Sequence, residues 1–445
     1  MLKHAVNISE MLSAFPSAPL ASEDFKDFYV RVDAERDHDL SRLEELKKKL
    51  DNQSCKVLFA GHRGSGKSTE LNRLTQELEA KFFTVRFSVT EQLDVYDLNY
   101  IDLIMVMMEQ VADQAEQANL LDKNSKYIKK VNDWLIKVTE IKTEEIDYML
   151  EVEAGLKANR GVLSSLIGLF AVIKTDIKAE TSKKREYRKN LENKISLLKA
   201  HCDLLTGEVD RALGRQGKRL LVIIEDMDKV ETTRSREIFF RHSGILSELQ
   251  VSVIFAVSIS ALFTPEGADI AGRFRIVSLP MLKVCDRSGA RFDPGIQVIK
   301  QIVGRRAELS LFAEGVLDTM IDRCGGVLRD LFEMIETAAA SADYKSLDII
   351  DQEVANYAFG RLKQKYLRMI TVEGREEKGI TTQQLYKKLE EVNESTAKQF
   401  LLDDTIRLLL SCLAIVEYNG EQWMDVHPAV KSILETIHKD WVNAE

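Results

Sequence analysis

Gly61, His62, Arg63, Gly64, Ser65, Gly66, Lys67 and Ser68 spell GxxxxGK[ST], and each residue type suits one task, the cradling of a polyphosphate. Glycines let backbone N–H groups curl around phosphate oxygens with no Cβ in the way. A helix starting at Lys67 would aim its positive end at the anion. Lys67 offers a cation to the β- and γ-phosphates, and the Ser68 hydroxyl offers a ligand to magnesium. The run Gly61–Thr69, with Thr69 at its end, is therefore the candidate nucleotide-binding stretch, with ATP and Mg2+ as the expected ligands. Such a loop needs an acidic partner. Leu220–Ile224 is an apolar run that delivers Glu225, Asp226 and Asp228 at its C-terminal end. That is the end of a strand where ligands bind in open α/β sheets. One acid would hold magnesium and a neighbour would orient the attacking water.

Regular elements must position these residues. Cys55–Ala60, Phe82–Ser88, Arg219–Ile224, Val251–Val257 and Arg275–Leu279 read as short buried strands. They alternate with amphipathic helical segments, including Leu98–Gln117 and a charged helix over Asp37–Leu50, so an α/β fold with a mostly parallel sheet is expected. Beyond Pro280 helices dominate. Near the end, Ala414–Tyr418 and Gln422–Val426 flank Asn419-Gly420, a hairpin signal, and Pro428 suits the first turn of a closing helix. The division expected is residues 1–50 as a poorly structured leader plus a helix, 51–280 as a nucleotide-binding core, 281–370 as a helical lid, and 371–445 as a winged-helix-like domain.

Residues 121–200 carry 17 Lys/Arg against 12 Asp/Glu and no proline, and read as a helical insertion. Its apolar stretch 161–173 suits either the core of a helical hairpin or a docking patch for a partner. At 13 residues it is too short for a membrane span. The run Lys183–Lys189 is the best nucleic-acid candidate, with a solvated helix face as its simpler reading. Across all 445 residues the net charge is −9, and residues 342–445 hold 13 Lys/Arg against 18 Asp/Glu. Nucleic acid is thus not favoured as the main partner, because phosphate neutralisation supplies most of such affinity. Five scattered cysteines form no CxxC pair, and the first residues lack the apolar core of a signal peptide. A reducing, cytoplasmic setting is expected.

With the GHRGSGKS loop and the Glu225-Asp226-Met227-Asp228 strand end, the chain resembles AAA+ type P-loop ATPases. The branch is the one shared by origin-recognition initiators and STAND/KAP-like bacterial ATPases. The resemblance implies ATP hydrolysis and places Glu225 in the magnesium position, where the family has Asp, and Asp226 in that of the water-activating acid. The departure at Glu225 leaves open which of the two holds the metal. The resemblance also implies a polar sensor at Ser258, with Ser260 as the second choice and a turn-capping role as the alternative. Cys324-Gly325-Gly326-Val327-Leu328-Arg329 resembles the family's second sensor, an arginine at Arg329; the plain alternative pairs Arg329 with Asp330. A trans-acting arginine finger falls to Arg273 rather than Arg275, with a solvated basic edge as the alternative, and a finger there implies a homo-oligomer. Phe28, Tyr29, Val30 and Arg36 lie where relatives approach the adenine, although an ordinary core role suits Phe28 and Tyr29 better. The function implied is a nucleotide-driven assembly or signalling switch on a protein partner, in a setting such as bacterial antiviral defence. The alternatives are a DNA-associated initiator or loader, or a nucleotide-binding scaffold with little hydrolysis.

Overall fold

The structure, a computed structural model, describes residues 2–32, 44, 46–48, 50, 54–154, 161–179, 182–262, 270, 272–371, 379–400, 403–418 and 423–442. Helix α1 (Ile8–Ala14) starts at Asn7, whose side chain accepts the Glu10 N–H at 3.0 Å. Its Ile8, Met11 and Ala14 are buried, and Phe15 meets Phe332 edge-on with ring centroids 5.5 Å apart. Residues expected to form a loose leader are therefore ordered. Two turns of amphipathic pattern are too short to read in isolation, and their apolar face is covered by a helix far along the chain.

Strands β1 (Lys56–Gly61), β2 (Phe82–Ser88), β3 (Arg219–Glu225), β4 (Ser252–Ser258) and β5 (Arg275–Leu279) pair in the order β2-β3-β4-β1-β5, each pair parallel. Each begins and ends within one residue of its apolar run in the sequence. Side chains alternate between faces, as the two-residue strand period requires. Val57, Phe59, Leu221, Ile223 and Ile254 pack beneath α2 (Lys67–Leu78), against Leu71, Leu74 and Leu78. Leu58, Ala60, Val222, Ile224, Val253 and Phe255 face α3 (Tyr100–Gln117) and the helices that follow it. Asn99 and Asp102 close a reciprocal capping box at the start of α3.

The insertion is α4 (Lys126–Thr139), α5 (Thr143–Ala154), α6 (Val162–Lys178), α7 (Ser182–Glu192) and α8 (Ile195–Gly214). The apolar stretch lies in α6. Leu163, Leu166, Leu169, Phe170 and Ile173 are buried in contact with α3, α4 and α5, so the docking-patch reading falls. Two cations of the basic run in α7 turn inward. Lys184 is 2.6 Å from Asp97, and Arg188 binds Asp97 at 3.1 Å and also Asp102. Lys183 is exposed and reaches Glu145 at 3.2 Å, and Arg185 and Lys189 are exposed as well. Lys184 and Arg188 are thus engaged by carboxylates, and the remaining three suit a solvated helix face.

After β5 come α9 (Asp293–Arg306), α10 (Val316–Cys324), α11 (Leu328–Tyr344) and α12 (Gln352–Ile370). Then follow α13 (Thr382–Glu394), α14 (Asp404–Ser411), the antiparallel strands β6 (Ile415–Tyr418) and β7 (Trp423–Val426), and α15 (Pro428–Val442). This is the helix–helix–hairpin–helix order of a winged-helix-like end. The Asn419-Gly420 turn, Arg36 and most of the helix expected over Asp37–Leu50 lie outside the described residues. α1, the lid helices and the C-terminal helices share one core, running from Met11 through Ile335 and Tyr366 to Trp423.

Asp102 is 1 % exposed, and removing its guanidinium partner would strand a buried carboxylate. Arg188→Met should therefore cost about 3 kcal/mol of stability, read as a lowered urea midpoint. An unchanged midpoint would show that the α7 cations are not structural.

Candidate nucleotide site

The phosphate loop leaves β1 at Gly61 and enters α2 at Lys67. Gly66 stands at the helix start in the left-handed region, with φ 92°. Gly64 also has positive φ, and a Cβ there would lie 3.1 Å from Cβ of Arg329. Loop and lid thus touch through a position that admits no side chain.

Lys67 is only 7 % exposed. Its ammonium donates to the carbonyls of Gly61 and His62, each at 2.9 Å, and pairs with Asp228 Oδ2 at 2.9 Å. Asp228 was visible in the sequence as the third acid of the strand end, yet nothing there named it as the partner of Lys67. Asp226 sits just past β3 with φ 63°, accepting from Ser88 at 2.5 Å and Thr90 at 3.1 Å and pairing with Lys229 at 2.9 Å. Burial pushes its carboxyl up, but these donors outweigh burial and hold it below the ordinary range. Glu225 is bound by Arg86 of β2, which also reaches the Asn72 side chain and, at 3.3 Å, the Ser68 carbonyl on α2. Arg86 was not singled out from the sequence; only its place on a strand beside β3 could have found it.

Ser68, Glu225, Asp226 and Asp228 line one cleft of about 580 Å³. Among the described residues no three His, Cys, Asp or Glu side chains converge into a metal cage. Magnesium needs none, since it takes one or two carboxylates and completes its shell with phosphate and water oxygens. A serine hydroxyl beside carboxylates is the hard-oxygen set it prefers, so these residues fit the ion.

The other predicted residues divide. Arg329 lines the cleft above Gly64. Its alternative pairing with Asp330 is not realised, because Asp330 is buried and binds Lys365 at 3.0 Å, the Tyr366 hydroxyl at 2.6 Å and His427 at 3.4 Å. Ser258 ends β4 directly beside Gly61, but its hydroxyl is engaged with Ser260, at 2.8 Å to the hydroxyl and 3.3 Å to the N–H, so it caps the turn. Arg273 donates to Ser243 at 3.0 Å. It precedes β5, whose far end Leu279 is the one beside Gly61, so Arg273 lies across the sheet from its own loop. Within the loop, Ser65 is buried and does not line the cleft, and the Thr69 hydroxyl accepts the Leu20 N–H at 3.2 Å. The base end of the cleft has a wall the sequence did not announce. Pro16–Ala21 lie along it, tied down by Asn72 donating to the Leu20 carbonyl at 2.6 Å. Phe28, Tyr29 and Val30 continue that wall, and Tyr29 donates to Glu70 at 3.1 Å.

His62 belongs to the loop expected to bind the nucleotide, and its side chain takes no part in the cleft. It is 2 % exposed, its Nε2 accepting the Glu417 N–H of β6 at 2.8 Å. That bond fixes the neutral Nδ1–H tautomer. Burial, and then the charge of Lys67, bring its pKa down to about 3. The same strand holds the lid: Tyr418 donates to the Gly325 carbonyl at 2.7 Å. His427 accepts the Ala429 N–H at Nδ1, so its Nε2 donates to the Cys324 carbonyl at 3.0 Å. Gly326, φ 83°, has no room for a Cβ, which would fall 1.8 Å from the Leu282 carbonyl oxygen.

Compared with known families, residues 43–262 match the model of the KAP family P-loop domain. The match covers just under half of the chain. No curated protein matches the chain significantly. Among solved structures, the chain is similar at 10 % identity to the ORC1 protein of Aeropyrum pernix in complex with DNA, TM-score 0.39, covering 92 % of this chain and 93 % of that one. It is also similar to Cdc6p from Pyrobaculum aerophilum, at 10 % identity and TM-score 0.37, with 94 % and 97 % covered. Drosophila ORC bound to DNA gives 10 % identity and TM-score 0.36, with 97 % and 90 % covered. The strand, loop, helix and acidic strand end all lie within the matched residues, whereas Arg329 and the β6 strand lie beyond them.

His62 is neutral when folded but titrates near 6.5 when unfolded. Between pH 6.5 and about 3 the unfolded chain therefore binds more protons, and stability falls as pH falls. His62→Gln keeps an acceptor and removes the titration. It should flatten the stability slope between pH 6 and 4.5 by about 1.4 kcal/mol per pH unit, measured by urea unfolding. An unchanged slope would place the imidazole in solvent.

Proposed function

We propose that the chain is an ATPase switch: it binds Mg-ATP in the cleft between the P-loop, the N-terminal wall and the lid, hydrolyses it, and passes the change to a protein partner. The observation that carries this is the Lys67–Asp228 pair. An ammonium has three N–H donors. Two of them go to the Gly61 and His62 carbonyls, which belong to the loop itself, and the third goes to Asp228. A triphosphate entering the loop competes for that third donor. Asp228 then loses its cation, and Arg63, which donates to the Asp228 carbonyl at 3.2 Å, loses its fixed neighbour. Magnesium, held by Ser68 with Glu225 or Asp226, would supply neutralisation of the phosphate charge. Asp226, kept ionised by Ser88, Thr90 and Lys229, is suited to orient the water. Arg329 above Gly64 is placed to read the γ-phosphate, since its guanidinium keeps its charge and presents a fork of donors.

The grip of Arg86 on Glu225 supports slow turnover, because the family's metal acid already has a partner. A protein effector is favoured over DNA by the acidic C-terminal part and by the engagement of Lys184 and Arg188 of α7 with carboxylates. Arg273, exposed at the opposite end of the sheet, suits a finger presented to a second copy. The antiviral setting rests on family resemblance alone.

Lys67→Ala should abolish ATP binding in a filter or calorimetric assay. Asp226→Asn should leave binding intact and stop magnesium-dependent phosphate release. Wild-type turnover in Asp226→Asn would sink the assignment. A strict monomer by mass with and without ATP would remove the finger role of Arg273.

A further inference from the structure

The base end of the cleft holds a charge that the reading above does not use. Arg306 closes α9 and lines the cleft beside Ile302 and Phe332, yet it is 6 % exposed. Its guanidinium lies over the Phe332 ring, 4.7 Å from the centroid. One Nη donates to the Ala14 carbonyl at 3.3 Å, a long bond. Among the described residues its buried Nε has no acceptor. Asp24, itself buried and accepting the Leu2 N–H at 3.1 Å, is the nearby countercharge. Burial brings the pKa down to about 10, so the group remains protonated at neutral pH.

A guanidinium has five N–H donors in a planar fork, and here one bond uses them. Keeping such a group buried and under-bonded is costly unless something else supplies acceptors. Its place along the cleft says which part of a ligand could do so. α11 begins at the phosphate loop, with Arg329 over Gly64, and Phe332 follows about one turn along it, also lining the cleft. Arg306 stacks on Phe332, so it stands a turn beyond the phosphate end, next to the Pro16–Ala21 wall.

We propose that Arg306 reads the base of the bound nucleotide, donating from its buried guanidinium to a ring-nitrogen acceptor while Phe332 and Ile302 cover the apolar faces. Arg306 is thereby a specificity residue, separate from the phosphate-binding groups. This rests on the nucleotide reading above, and the test keeps the two apart. Calorimetry with ATP and with inorganic tripolyphosphate is run on the wild type, Arg306→Met and Arg306→Lys, with a melting curve for each. The lysine variant keeps the charge and can keep the bond to Ala14, so it carries the test if the methionine variant does not fold. In both variants ATP affinity should fall at least about tenfold, the loss of one charge-assisted hydrogen bond. Tripolyphosphate affinity should stay at the wild-type value. Unchanged ATP affinity, or an equal loss for both ligands, would overturn the base-reading role while the nucleotide reading stood. A wild-type protein that binds neither ligand would overturn both.

Discussion

One ammonium group orders the site. Lys67 is nearly removed from solvent, and its three protons meet three oxygens, two from the loop that carries it and one from Asp228. The first two curl the loop back on the lysine and give it a fixed radius. The third ties that loop to the strand end of β3, across β4. Of the acids at that strand end, Asp228 alone pairs with the ammonium. Asp226 and Glu225 are occupied by their own donors, so neither replaces Asp228. A buried cation with a single exchangeable partner is a natural sensor of anions, because only a comparably charged group can take the place of the carboxylate.

The lid reports to the same place. Arg329 and Asp330 are neighbours in sequence and face opposite ways. One lies over the phosphate loop, and the other is buried among Lys365, Tyr366 and His427. A rotation of α11 that moves the arginine must also move the aspartate, and a buried carboxylate with three partners is not displaced at small cost. The lid is therefore stiff where it meets the C-terminal hairpin, and Gly326, with no room for a Cβ, pins its turn against Leu282.

Much of this was legible in the residues. Five apolar runs and the glycine spacing were enough for the sheet and the loop, because buried parallel strands are near-continuously apolar and a phosphate loop leaves few choices of side chain. The hairpin was legible from Asn419-Gly420 between apolar runs, although that turn itself lies outside the described residues. What could not be read is contact between distant segments. His62 occupies a position the motif leaves free, and its partner is a backbone N–H, which has no signature in sequence. Arg86 and Arg306 look like ordinary charged residues on a strand and a helix. α1 was hidden because its apolar face is only two turns long and its cover comes from α11. Lys184 and Arg188 of α7 looked like part of a solvated or nucleic-acid face because Asp97 and Asp102, which neutralise them, belong to another part of the chain.

The bond between His62 and Glu417 spans 355 residues, and that separation bears on how the molecule is made. Long-range contacts are slow to form, since the intervening chain must be ordered before they gain anything. The phosphate loop leaves the ribosome well before β6, as do the Pro16–Ala21 wall and the helix that follows the loop. The bond that holds His62 away from the cleft can form only once β6 has followed. Until then the imidazole lacks the backbone N–H that orients it. A nascent chain thus carries the phosphate loop without this contact across that whole interval. The β6–β7 hairpin supplies it, so a product cut short before β6 would have the motif without its final geometry.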